Sequence, residues 1–214
     1  IEIAGFLAAS LAWGQRPTII KKCKELMQLM DYAPHDFVMQ AEAQDYERFC
    51  NFKHRTFNSY DCVYFLRSLA NIYRHHGGLE TVFTRAYQKH QDMFEVLKEW
   101  YSVFTSLPAE ARELRHIANV EKGSAAKRVN MFLRWMVRHD GEVDFGLWKD
   151  IPTSALLIPL DLHTGNVSRL GLLTRNQNDR KAVEELTARL REMDPVDPIR
   201  YDFSLFGLGA FGEI

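Results

Sequence analysis

Lys127 and Asp161 are the residues whose types and placement suit a reaction better than packing. Lys127 opens a basic helical stretch, Ser124-Ala-Ala-Lys127-Arg128-Val-Asn130-Met-Phe-Leu-Arg134-Trp-Met-Val-Arg138. Asp161 lies in Ile158-Pro-Leu-Asp161-Leu-His163, directly before a second helical stretch, 162–172. An amine at the start of one helix and a carboxylate at the start of the next can converge on one cleft. A carboxylate beside a lysine takes or steers its proton and so activates it as a nucleophile. Taken singly, each residue has a plainer use, since aspartate is a preferred N-cap and lysine an ordinary solvated side chain.

The charge around Lys127 is uneven. Between 122 and 138 there are five Lys or Arg and no acid, in a chain whose net charge is −1. A local basic surface can bind phosphates even when the whole molecule is near neutral. Lys122, Arg128, Arg134 and Arg138 are therefore expected to border the site, with Gly123 and Ser124 supplying backbone contacts and Ser124 capping the helix. Val129, Phe132, Leu133, Met136 and Val137 recur at one helical face, which leaves Lys127, Asn130, Arg134 and Arg138 on another.

Other reactive side chains lack partners at useful spacing. Cys23, Cys50 and Cys62 are too few for a four-thiolate cluster and sit on apolar helical faces, as buried free thiols do. His75-His76 before Gly77-Gly78 fits a helix C-terminus. His139-Asp140 invites comparison with helical metal phosphohydrolases but precedes Gly141, as a helix end and turn would. His163 lies near Asp161 and suits orienting the helix start. No metal and no cofactor is expected.

Positioning falls to helices. The pattern predicts helices over 1–13, ended by Gly14, and from Pro17 with Ile19, Ile20, Cys23, Leu26, Met27 and Met30 inward. Further helices are expected from Ser59 to the Gly77-Gly78 stop, over 79–87, 93–104 and 109–117, and from a cap at Asn178 or Asp179 with Val183, Leu186, Leu190 and Met193 inward. No period-2 strand, repeat or low-complexity tract is present, so the fold is expected to be all-α. No apolar run is long enough to span a membrane and no secretory signal opens the chain, which points to a cytoplasmic protein with no membrane partner. The chain starts at Ile1 inside a helical pattern, so further residues are expected upstream.

Together the Lys127 and Asp161 segments resemble the helix-hairpin-helix DNA glycosylase superfamily. Pro159-Leu160-Asp161-Leu162-His163 followed by Arg169-Leu170-Gly171-Leu172 looks like the segment that supplies that family's essential aspartate. The 124–138 stretch, with Val143-Asp144-Phe-Gly146-Leu-Trp148 and Asp197-Pro198-Ile-Arg-Tyr201-Asp202-Phe203, more closely resembles an uncharacterised bacterial family, itself similar to archaeal 8-oxoguanine DNA glycosylases. This second resemblance covers nearly the whole chain. The usual Leu-Pro-Gly-Val-Gly hairpin is replaced by Val120-Glu-Lys-Gly123-Ser124, Leu162 stands where threonine is usual, and no cysteine quartet follows.

The resemblance implies one glycosylase-like helical unit over 1–214, with a cleft between two helical lobes, acting as a monomer on damaged or single-stranded DNA. It implies base excision with lyase action: a damaged base, an oxidised purine, is flipped out, Lys127 attacks the sugar and Asp161 activates it. That chemistry needs a neutral amine, which burial, Arg128 and the helix N-terminus all favour. Trp13, Trp135 and Trp148 are candidates to stack on the base. The alternative is a non-catalytic nucleic-acid-binding protein on the same fold; the third reading is the metal phosphohydrolase.

Overall fold

In a computed structural model, which describes residues 1–212, the chain is all-α. In chain order the helices are α1 (Glu2–Leu11), α2 (Arg16–Leu29), α3 (Pro34–Gln40), α4 (Ser59–His75), α5 (Leu79–His90), α6 (Met93–Phe104), α7 (Ala111–Leu114), α8 (Lys127–Val137), α9 (Leu162–Ser168), α10 (Arg180–Met193) and α11 (Asp202–Phe211). Short 3-10 turns occupy Ala43–Phe49, Thr153–Ala155 and Pro198–Tyr201. Among the described residues there is no β-strand, only isolated bridges, and no helix is long and apolar enough to cross a membrane.

Helix boundaries follow local chemistry. Asn58, not Ser59, caps α4: its side chain accepts the Tyr60 and Asp61 amides, and the Asp61 carboxylate takes the Asn58 N–H in return. Gly77 and Gly78, both at positive φ, end that helix. Asp179 caps α10 through the Ala182 amide. Three side chains expected inside lie outside: Ile20, Met193 and Cys50 are exposed. The α3 helix and the 3-10 turn after it have too few residues to show a helical period, and of the residues at 109–117 only the four of Ala111–Leu114 wind into helix, leaving α7 as a single turn.

The chain divides into two compact units, Ile1–Gln88 with Glu99–Ile117, and Lys89–Lys98 with Ala118–Ile214. The first has an aromatic core. Phe104 packs its ring against Phe65 at 5.1 Å, and against Phe6 and Trp100 at 5.3 Å.

The second unit carries both segments of interest. In α8 the expected stripe of Val129, Phe132, Leu133, Met136 and Val137 is buried, and Phe132 meets Trp148 edge-on at 5.4 Å. The chain after α8 doubles back onto its end, with the Phe145 and Trp148 amides donating to the Trp135 and Met136 carbonyls. Gly146 permits that return: it sits at φ +56°, and a Cβ there would lie 2.5 Å from the His139 Cβ.

Candidate functional site

α10 anchors the strand-like segment that delivers Asp161. Its Arg191 guanidinium donates to the Ser154 and Ala155 carbonyls, and its Thr187 hydroxyl accepts the Ile158 amide. At the other end of this helix, three consecutive residues tie the two site segments down. The Asn178 amide donates to the Asp161 carbonyl at 3.0 Å, Asp179 forms a bridge with Ser124, and the Arg180 N–H donates to the Gly123 carbonyl at 3.0 Å. One helix start therefore fixes both the turn before Lys127 and the residue at 161.

Lys127 is the first residue of α8 and Asp161 the N-cap of α9. The Lys127 Nζ stands 3.4 Å from the Asp161 Oδ2, with the two side chains one-third and one-seventh exposed. Asp161 Oδ1 accepts the Thr164 amide at 2.9 Å. The carboxylate thus caps its helix with one oxygen and meets the lysine with the other.

The turn before Lys127 differs from expectation. Ser124 does not cap α8; its hydroxyl accepts the Ala126 amide, and Ala126, at φ +48°, is the residue before the helix. A left-handed non-glycine residue costs about 1–2 kcal/mol, so surrounding bonds must hold it. Asn130 supplies them from the interior, with its side chain donating to the Ala125 carbonyl and its backbone to the Ala126 carbonyl. Asn130 is buried rather than on a solvated face. Gly123, at φ +85°, is exposed with open space beside it, and Lys122 is exposed as well.

The arginines depart most from the expected phosphate rim. Arg134 is 1 % exposed; its Nε donates to Asp144 at 3.0 Å, its Nη1 to Asp202 at 2.5 Å, and its guanidinium lies 3.8 Å from the Phe203 ring centre. Arg138 is held by Asp140, Asp144 and Asp197 at 2.8–2.9 Å. Arg128 is largely buried, which pushes its guanidinium below the ordinary arginine value. Internal carboxylates hold both guanidiniums, so Arg134 is shut away from solvent and Arg138 is fixed toward Asp144 and Asp197 rather than spread as an open rim. Lys122 is exposed, and Lys127, Arg128 and Arg138 are partly so.

Asp202 is the site residue that sequence reasoning missed. Burial raises its carboxyl to about 6, against the pull of Arg134, while Asp161 raises it further and Lys127 lowers it. Asp202 thus shares an electrostatic environment with the Lys127–Asp161 pair and links it to Arg134. Phe203 and Phe206 follow on α11, both partly exposed, and Phe206 packs edge-on against His163 at 5.5 Å. His163 Nδ1 also lies 2.9 Å from the Gly209 carbonyl, so it joins α9 to α11. α9 approaches so closely that a Cβ on Gly209 would fall 2.4 Å from the His163 carbonyl oxygen.

Of the other candidates, Trp148 is closed off in the core and Trp13 belongs to the first unit. The Asp140 carboxylate accepts the Glu142, Val143 and Asp144 amides and closes a turn, which holds it well below the usual carboxylate range. Among the described residues no group of three or more His, Cys, Asp or Glu side chains is placed to hold a metal ion.

The sequence profile of the family described as "Protein of unknown function (DUF2400)" matches residues 1–211. No curated protein and no solved structure gives a significant match.

Proposed function

We propose that this chain, which belongs to the DUF2400 family, is a DNA repair glycosylase with lyase action on a flipped damaged base. The observation that carries the reading is the Lys127–Asp161 pair at 3.4 Å, opened by two helix starts. A lysine held against a carboxylate by dedicated backbone tethers is more than a surface ion pair, since such pairs contribute little to stability on their own.

The attacking amine must be neutral, and Asp161 Oδ2 is placed to take its proton. Lys127 Nζ then forms a bond to the sugar C1′ while the glycosidic bond breaks, its electron pair leaving on the base. Opening of the sugar ring converts the adduct to a Schiff base, and loss of a C2′ proton expels the 3′ phosphate. The Asp161 carboxylate also stabilises positive charge that develops on the sugar during base departure. Phe203 and Phe206 are exposed aromatics on the helix that begins at Asp202, whose carboxyl feels both Lys127 and Asp161, and they supply faces on which a base can stack. Oxidised purine is the proposed substrate class, on the strength of the resemblance to archaeal 8-oxoguanine glycosylases.

The test is borohydride trapping on duplexes carrying an oxidised purine, uracil or an abasic site. The wild type is expected to form a covalent complex with at least one, and Lys127→Gln to form none while retaining its circular dichroism spectrum. A wild-type protein that binds DNA with salt-sensitive affinity but neither releases base nor traps supports the non-catalytic binder instead.

A further inference from the structure

The first unit carries a groove along α4. Arg67, Asn71 and Arg74 project into it at i, i+4 and i+7 of one helical face, with His75 beside them. Tyr46 forms part of the opposite wall, and Ala41, Ala43 and Ala70 line it with methyl groups, leaving room for a ligand.

The charge in this groove is uncompensated. No carboxylate lines it. Among the described residues Arg67 makes no hydrogen bond or ion pair. Arg74 donates Nη2 to the Met39 carbonyl at 2.8 Å, which orients the guanidinium and leaves its other N–H groups to a ligand. On the facing segment Asp45, next to Tyr46, turns its Oδ2 to the Glu42 amide at 2.9 Å. Both arginines act on the half-buried Tyr46 phenol: burial raises it most, and the positive charges of Arg74 and Arg67 oppose that shift. The hydroxyl therefore stays protonated and able to donate.

We propose that this groove binds a phosphate group, gripped between the Arg67 and Arg74 guanidiniums with the Tyr46 hydroxyl as a further donor. Two planar forks and a neutral hydroxyl match an oxyanion with several acceptor oxygens and more than one negative charge better than a lone carboxylate. The phosphate belongs either to a free monoester or to the backbone of a nucleic-acid strand. The groove shares no residue with the Lys127–Asp161 pair and stands whether or not that pair is catalytic.

The test is calorimetric titration of the full chain with thymidine monophosphate and, separately, with a short single-stranded oligothymidylate. The double variant Arg67→Gln, Arg74→Gln is expected to lower affinity by about tenfold or more, because it removes two charge-assisted grips on one anion. Lys127→Gln is expected to leave binding of thymidine monophosphate unchanged. Loss confined to the oligonucleotide assigns the groove to a strand backbone; loss of the monophosphate assigns it to a free monoester. If neither probe binds the wild type, or the double variant binds both as the wild type does, the proposal fails. Should the double variant melt early, Arg67→Gln alone decides, since that exposed side chain makes no bond whose loss would unfold the protein.

Discussion

Asp161 divides its carboxylate between two tasks, holding the Thr164 amide with Oδ1 at 2.9 Å and standing 3.4 Å from Lys127 Nζ with Oδ2. Asparagine caps nearly as well as aspartate but carries no charge, so Asp161→Asn separates the tasks. It is expected to melt within a degree or two of the wild type and to lose borohydride trapping. Asp161→Ala is expected to lose trapping and, in addition, about 1 kcal/mol of stability, measured by urea unfolding. An Asp161→Asn protein that still traps at the wild-type rate would reduce Asp161 to a cap.

Gly165 lies against the tether that holds Asp161 in place. A Cβ at this position would fall 2.6 Å from Asn178 Oδ1 and 2.9 Å from Arg169 Nη1. Gly165→Ala is therefore expected to push Asn178 off the Asp161 carbonyl and slow the reaction severalfold or more, with α9 itself retained because alanine favours helix. Asn178→Ala should reproduce the loss without the clash. Trapping rates for the two variants equal to the wild type would show that the tether does not position the carboxylate.

The two halves of the site differed in how far the sequence disclosed them. The apolar stripe of α8, the lysine at its start and the aspartate before α9 are local patterns, and local patterns are read from periodicity and capping chemistry. Arg134 sits on the polar face of its helix, and periodicity alone does not distinguish a polar face that is solvated from one that is buried against distant carboxylates. Its partners Asp144 and Asp202 lie 10 and 68 residues away, and only their convergence allows a guanidinium to be buried. Asp202 was hidden for the same reason. Serine is a good N-cap, so its type at 124 suggests a cap, but the left-handed Ala126 moves the helix start beyond its reach. The tether through Asn178, Asp179 and Arg180 joins segments far apart in sequence and leaves no periodic trace.

Arg134 makes a firm stability prediction. Arg134→Met removes the guanidinium shared by Asp144 and Asp202; Asp144 keeps Arg138, but Asp202 loses its directly bonded cation in a buried site. Breaking one side of a buried pair costs about 3–5 kcal/mol. The exposed Lys122→Ala, in the same basic stretch, is expected to change stability by no more than about 0.5 kcal/mol. Urea unfolding of both variants checks this; an Arg134→Met protein as stable as Lys122→Ala would contradict the buried network.

Asp202 sets the last expectation, through pH. Its carboxyl is raised from the ordinary 3.8 to about 6, first by burial. The folded protein therefore keeps this proton over a range in which the unfolded chain has released it. Stability from this group is fully present below about pH 4 and falls as pH rises through about 6, because over that interval the native state binds more protons than the unfolded one. Asp202→Asn cannot ionise and lacks that slope. Thermal melts from pH about 4 to about 7 are expected to show the variant gaining on the wild type as pH rises, with the difference levelling off above the native value. Parallel curves over the whole interval would mean that Asp202 is already ionised at the acid end, its charge held by Arg134.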